Sequence, residues 1–320
     1  MDQLKDILLK SNSIALCTHF NPDGDTIGCV TALYLGLKKL GKKVKAYTTG
    51  PLFEKFHLYL KNLADMEITT PCEDEFELLI FLDCASLKRV LPTEDYKPKH
   101  FRIINIDHHP DNTNFGYINV VDPKAAATAE IIYKLLKSLN CEIDQDIATS
   151  LYIGIITDTG KFCYSSVTSE THNIISDLLT TGIKPDEINN LVYEQESLNS
   201  ILLAGIALSK IKSEYDGKLL WTLVTQKLLE ETGSKAEDSD LILDLMRLIE
   251  KSNVCVLFRE SEESIKVSLR SKNLINMNKI AHRFNGGGHE RASGCRLKMP
   301  IEQAETIIIN AIKQELEQFQ

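Results

Sequence analysis

The sequence predicts an α/β protein in two parts: an N-terminal doubly wound, mostly parallel sheet, then a smaller C-terminal mixed α/β domain. Three observations carry this. Strand-length apolar runs alternate with helical periodicity through the first half. The alternation stops after Gly182, where a long helical stretch follows, and a second mixed set begins at Lys218. At 320 residues the chain can build two separate cores.

Taken in order, strands are predicted at Ser13–Thr18, Val44–Thr48, Leu78–Asp83, Arg102–Asp107 and Tyr117–Val121, each a short apolar run. Helical spacing fits Thr26–Leu40, Ala126–Leu139, Asp144–Ile156 and Thr171–Leu179. Strands alternating with helices argue for parallel pairing with both faces of the sheet covered. Pro185–Lys212 reads as helical and connecting. In the second set the strands are Leu219–Thr225, Val254–Arg259, Ile265–Leu269 and Ala292–Leu297. Its helices are Ser239–Lys251, Met277–Phe284 and Ile301–Glu317. The resulting division is 1–185, a helical linker at 186–212, and 213–320.

Bulk properties narrow the function. Hydrophobic residues make up 43% and charged residues 25%, as in ordinary globular proteins. The net charge of −9 disfavours tracking of long nucleic acid and obliges any anionic substrate to find a local positive site. The eight cysteines form no C-x-x-C pair and sit mostly in apolar runs, so they read as reduced, buried thiols. The N-terminus has acids among its apolar residues, unlike a signal peptide, and no apolar run is of membrane-spanning length. A cytoplasmic, unanchored protein is expected.

Ligands of parallel α/β sheets gather at the carboxyl ends of strands. Chemistry-bearing residues crowd at those ends here. "HFNPDGDTIG" carries His19, Asp23 and Asp25 after the first strand. One of these aspartates can cap the following helix, but capping explains neither the histidine nor the second carboxylate. An EF-hand is excluded, because the later acidic positions are missing. "FLDCAS" ends a strand on Asp83, alone a turn former or a ligand. Cys84 beside it falls on the other face by strand alternation. "NIDHHPDN" places Asp107, His108 and His109 at another strand end, with a carboxylate ready to accept from an imidazole. "GIITDTGKF" places Asp158 at a helix end. These donors are too many for one ion. Carboxylates with imidazole suit manganese or a similar octahedral cation, and two ions about 3.5–4 Å apart are a standard device for phosphoester hydrolysis.

In this order the four segments resemble the motifs of the DHH phosphoesterase superfamily, named for the triplet seen here as Asp107-His108-His109. "GGGHERASG" near the C-terminus is similar to the signature of the DHHA1 domain that accompanies it. Together the two resemblances span the whole chain. The most similar subgroup is the stand-alone nanoRNase (oligoribonuclease) and adenosine-3′,5′-bisphosphate (pAp) phosphatase group, which also includes phosphodiesterases of linear and cyclic di-adenylates. The resemblance implies two divalent ions, Mn2+ by preference. His19, Asp23 and Asp83 would hold one. Asp25, Asp83, His108 and Asp158 would hold the other, with Asp83 bridging. His109 would lie near the scissile phosphate, with Asp107 orienting the histidine pair, so that Asp83, Asp107 and His109 form the catalytic set. A hydroxide activated by both ions would cut nanoRNA or pApA to 5′-mononucleotides and pAp to AMP. Asn285 replaces a glycine that many relatives have before the GGGH run.

The C-terminal part then reads as a substrate holder. Between Ser264 and Pro300 lie eight Lys or Arg and one acid, Glu290. Strand alternation sets Ser268 and Arg270 on one face. Gly286, Gly287 and Gly288 let backbone approach a ligand and form an anion nest, with His289 and Arg291 as further candidates. Arg89 reads as a surface arginine. His57, His100 and His172 have no motif around them, and Trp221 reads as core or as a domain-interface residue.

No aromatic platform suggests a long single strand. The expected partners are therefore a short RNA or small nucleotide, no membrane and, by the resemblance, a second copy in a homodimer. A soluble cyclic di-AMP phosphodiesterase is the nearest alternative. A catalytically inactive nucleotide sensor should have lost a ligand, and every one is present. Family II pyrophosphatases lack the GGGH run, and a RecJ-like exonuclease would be longer.

Overall fold

The computed structural model describes residues 1–48, 50, 66–68, 76–90, 102–272, 275–288 and 290–317. Contacts divide the chain into Met1–Gln195 and Glu196–Gln320. The first unit runs α1 (Asp2–Lys10), β1 (Ser13–Cys17), α2 (Gly24–Lys39), β2 (Lys43–Thr48), β3 (Met66–Ile68), β4 (Leu78–Leu82), β5 (Arg102–Asp107), β6 (Ile118–Val121), α3 (Thr128–Ser138), α4 (Gln145–Asp158), α5 (Ser169–Leu179) and α6 (Pro185–Tyr193). All six strands are parallel, in the order β3-β2-β1-β4-β5-β6.

The chain builds outward from β1 on one side and from β4 on the other, which is the doubly wound arrangement. β4 is buried at all five positions, and β1 at all but its first. Both read as unbroken apolar runs because each is covered on two faces. The larger core cluster joins Leu16, Ile80 and Ile106 to α1–α6, while Cys17, Phe81 and Cys84 belong to a smaller cluster with Tyr47 and Phe76. β1 and β4 are hydrogen-bonded neighbours with chain connections leading away on opposite sides, so their carboxyl ends form the switch point.

Two glycines let α2, α3 and α4 close over that end. A Cβ on Gly28 would collide with the Ser150 carbonyl of α4. A Cβ on Gly154 would lie 2.7 Å from the Ala129 Cβ and 2.8 Å from Asp25 Oδ1. Asp25 on α2, the start of α3 and the last turn of α4 are thereby held together.

The second unit runs α7 (Leu198–Ser209), β7 (Lys212–Glu214), β8 (Leu219–Val224), α8 (Gln226–Thr232), α9 (Asp240–Arg247), β9 (Val254–Glu260), β10 (Ile265–Ser271), α10 (Met277–His282), β11 (Gly287–Gly288), β12 (Ala292–Leu297) and α11 (Ile301–Glu317). Its sheet order is β11-β12-β10-β9-β8-β7. Among the described residues only β8 and β9 pair in parallel, so this sheet is mixed. α10 and α11 cover one face, against Val256, Phe258, Val267 and Leu269. α7, α8 and α9 pack on the other face against Leu220, Val224, Cys255 and Leu257 of β8 and β9.

The stretch 186–212, read as a linker, is shared between the units. Ile188 of α6 packs into the first core, and Leu203, Ala204 and Ala207 of α7 pack into the second. Trp221 is 6% exposed and sits in the second unit's core, its indole N–H donating to Glu305 Oε1 at 2.7 Å. The described cysteines are all free, and all but Cys163 are buried. No helix among the described residues is long and apolar enough to cross a membrane.

Candidate metal centre

Asp83 follows β4 with φ +56°, in the left-handed region that aspartate tolerates better than most residues. Its N–H donates to the Ile106 carbonyl at 2.9 Å, and it is 2% exposed. Two threonine hydroxyls fix the carboxylate: Thr26 donates to Oδ2 at 2.7 Å and Thr128 to Oδ1 at 3.0 Å. The two oxygens then face different imidazoles. Oδ2 lies 3.9 Å from His19 Nε2, and Oδ1 lies 3.9 Å from His108 Nε2.

Each imidazole belongs to its own group. Donor atoms of His19, Asp23 and Asp83 lie within 4.8 Å of one another, and so do those of Asp25, His108 and Asp158. A carbonyl oxygen only accepts, so His19 Nδ1 must carry the proton it gives to Phe20 O at 2.9 Å. That leaves a lone pair on His19 Nε2, which is buried and has no hydrogen-bond partner among the described residues. His108 Nδ1 likewise donates to Ala125 O at 3.2 Å, turning Nε2 towards Asp158 Oδ2 at 3.2 Å. Asp23 caps α2 through Oδ1, which accepts from Thr26 N–H at 3.1 Å. Asp25, 1% exposed, accepts from the N–H groups of Thr128 at 2.6 Å and Ala129 at 3.0 Å, at the start of α3. A helix N-terminus is a favourable place for a buried carboxylate.

The charges are still not balanced. Burial, then the neighbouring Asp83, pushes the Asp25 carboxyl well above its ordinary range. Burial raises Asp158 to about 7 against the opposing pull of His108. Burial opposes ionisation of Asp83, yet His109, His108 and His19 together hold its carboxyl below the ordinary value. A buried orphaned imidazole nitrogen beside carboxylates that resist ionisation together is the donor set of divalent cations. The residues present fit such ions.

A second chain of contacts runs from Asp107, which is fully buried. His109 Nδ1 donates to Asp107 Oδ1 at 2.7 Å, and Arg89 Nη1 donates to His109 Nε2 at 3.0 Å. A guanidinium only donates, so the arginine sets the tautomer of this histidine. Asn112 Nδ2 reaches Asp107 Oδ2 at 2.5 Å and Asn105 Oδ1 at 2.7 Å. Donor atoms of His109, His108 and Asp83 also fall within 4.8 Å of one another.

Sequence reading missed Thr26, Thr128, Arg89 and Asn112. Arg89, expected at the surface, is half-buried and meets His109. Asp23 with Thr26 three residues on was a visible capping signal. Nothing local marks Thr128, whose role comes from the packing of α3.

The comparisons with known proteins fit this geometry. Residues 13–155 match the DHH family, N-terminal domain, and residues 204–318 match the DHHA1 domain. A Thermus thermophilus protein called a bifunctional oligoribonuclease and PAP phosphatase, NrnA, is 36% identical over 307 residues, covering 95% of this chain and 90% of that one. The chain belongs to the DHH phosphoesterase family. It is a hydrolase. A Bacillus subtilis DHH relative, also called a bifunctional oligoribonuclease and PAP phosphatase, is 27% identical over 89% of this chain and 90% of its own. Among solved structures, an exopolyphosphatase-related protein from Bacteroides fragilis superposes with TM-score 0.90 at 28% identity, covering 99% of this chain and 95% of that one.

In the DHHA1 part, Ser268 and Arg270 are half-buried on the same face of β10. Arg270 Nη1 donates to Leu269 O at 3.1 Å. Gly288 has φ +136°, and a Cβ there would lie 2.6 Å from Ala292 O. A Cβ on Gly286 would strike the Gly294 carbonyl. Close pairing with β12 therefore accounts for two of the three glycines, and only Gly287 faces open space. Arg291 is exposed, and its carbonyl accepts from Ser271 N–H at 2.9 Å. His289 lies outside the described residues, as do His57, His100 and Cys72.

Proposed function

We propose that this protein hydrolyses short oligoribonucleotides and linear dinucleotides such as pApA to 5′-mononucleotides, and pAp to AMP and phosphate, using two manganese ions. The observation that carries the reading is Asp83, whose two oxygens each face a different imidazole-centred group. The relatives' printed activities, oligoribonuclease and PAP phosphatase, support the choice of substrate.

His19, Asp23 and Asp83 would hold one ion, and Asp25, Asp83, His108 and Asp158 would hold the other. When bound, such ions supply Lewis acidity towards phosphoryl oxygens and a water acidic enough to ionise near neutral pH. The chain's own residues do the rest. Thr26 and Thr128 keep the Asp83 carboxylate in one orientation. Asp107 holds the His109 ring, its Nδ1 3.6 Å from Asp83 Oδ1; with Nε2 protonated in place of the Arg89 contact, the imidazolium can hydrogen-bond a phosphoryl oxygen or give a proton to the leaving ribose oxygen. In the DHHA1 unit, Ser268, Arg270, the Gly286–Gly288 backbone, His289 and Arg291 bind the phosphate-bearing end of the substrate. The enzyme works in the cytoplasm as a homodimer, a state that sedimentation velocity reads directly.

The test is kcat/KM with manganese for pAp, pApA, a tetranucleotide and cyclic di-AMP. Turnover of pApA and pAp to AMP, with cyclic di-AMP a poor substrate, is expected. Hydrolysis of cyclic di-AMP alone, or of none of the four, overturns the reading.

A further inference from the structure

On the face of the C-terminal sheet that carries α7, α8 and α9, a row of cations runs from Arg259, against the start of α9, across β10 to β12. On β10, Lys266 is paired directly with Arg259 on β9 and with Arg296 on β12. Directly paired residues project to the same face, and Ser268 and Arg270 follow on that face at alternate positions. The opposite face of β10 and β12 is packed core, with Ile265, Val267, Leu269, Cys295 and Leu297 buried. A slip of one residue would expose that core, so the register holds the three cations side by side.

Like charges directly opposite destabilise a sheet. Arg259 has internal partners that offset this: the Ala236 carbonyl, Ser239 Oγ at 2.9 Å and the Asp240 carboxylate at 4.0 Å. Lys266 and Arg296 have none of that kind. Among the described residues, no carboxylate lies within 4 Å of either. Burial first, then Arg259, pushes the Lys266 ammonium below its ordinary pKa, with Asp240 opposing. Arg296 is exposed. Half-buried Lys266 and exposed Arg296 thus stand side by side with no carboxylate against them among the described residues, a pair that an anion from outside can neutralise.

We propose that Lys266 and Arg296 form a phosphate subsite for the backbone of a short oligoribonucleotide, distinct from the grip at Ser268 and Arg270. The inference rests on the functional reading above and adds to it a determinant of substrate length. Lys266 and Arg270 are four residues apart on one strand, about 13 Å at roughly 3.3 Å per residue. Each therefore meets its own phosphate. A ligand with one phosphate uses the Arg270 grip alone, while a longer chain adds the cation row.

The test is calorimetric binding to the full-length, manganese-loaded protein across a salt series. The ligands are AMP and a 5′-phosphorylated, phosphorothioate-linked pentaadenylate, which resists hydrolysis. For the Lys266→Gln/Arg296→Gln variant, pentaadenylate affinity should fall about tenfold or more. Its dependence of log K on log salt should flatten by about 1.4, roughly 0.7 for each phosphate released on a single strand. AMP affinity should stay within about twofold of the wild type, and the Lys266→Arg/Arg296→Lys variant should restore both quantities. Equal weakening for AMP and pentaadenylate overturns the subsite, and so does an unchanged salt slope. Failure of the functional reading looks different: the wild type would then turn over none of the nucleotide substrates, whatever these affinities show.

Discussion

At the carboxyl edge of the N-terminal sheet, Asp25, Asp83 and Asp107 are at most 2% exposed. On the cation-bearing face of the C-terminal sheet, Lys266 and Arg270 are half-buried and Arg296 is exposed. The buried carboxylates are held by threonine hydroxyls, backbone amides of α3 and side-chain amides. The cations stand on strands, from half-buried Lys266 and Arg270 to exposed Arg296. Fixing donors against rigid partners suits an ion that stays. Displaying cations on one face of a sheet suits an anion that binds and leaves. Substitutions at the first region should therefore act on metal content and kcat, and at the second on KM.

His109 tests that division most strongly. His109→Ala should lower kcat by about 10²–10⁴-fold, with manganese content unchanged, because Nδ1 is already engaged by Asp107. Loss of an ion together with activity would make His109 a ligand of the Asp83–His108–His109 group instead. Arg270→Ala should raise KM about tenfold and leave kcat within about twofold, since a substrate grip acts in ground and transition states alike. An unchanged KM would remove the cation-bearing face from substrate binding.

The smallest expected effect is the pH dependence of stability in the metal-free protein. Burial raises Asp158 from 3.8 to about 7, so the folded state holds a proton that the unfolded state releases between those values. Stability falls as pH rises through that window. His108 is lowered by burial but raised more by Asp158 and Asp83, from 6.5 to about 9. Its contribution is fully present below 6.5 and is lost as pH approaches 9, so the two effects have the same sign. Manganese needs Asp158 ionised and His108 neutral. The rise in Tm on adding manganese should therefore be larger at pH 8 than at pH 5, and equal rises would contradict the ligand assignment.

Much of this was legible because parallel sheets announce themselves locally. β5, β12 and α11 fall at the residues that apolar periodicity marks, and most of the other expected elements differ by a residue or two; the helix expected at Ser239–Lys251 ends at Arg247, and Pro185–Lys212 divides into α6 and α7. α1 was missed, since its buried stripe is only Leu4 and Leu8 on a short charged helix. β3, with three residues, and β11, with two, are too short to carry a period. In the metal centre, residues whose chemistry is rare at strand ends stood out: His19, Asp83 and the Asp107–His109 triplet. The supporting hydroxyls did not, because Thr26 and Thr128 acquire their meaning only where α2 and α3 meet beyond β4. The cation row was hidden for a related reason. A count of basic residues shows charge, but only the register of β9, β10 and β12 sets Arg259, Lys266 and Arg296 side by side.

The claim on which the rest depends is that one carboxylate, Asp83, joins two ion sites. Alanine would strain the left-handed backbone there, whereas asparagine tolerates φ +56°, still accepts from one threonine hydroxyl and can donate its NH2 to the other, while losing the charge. Equilibrium dialysis of manganese against wild type and Asp83→Asn, with circular dichroism as the folding control, tests it directly. The wild type should hold two ions per chain, and the folded variant should hold fewer than one while losing turnover. A variant that binds two ions and keeps near-normal activity would contradict the account.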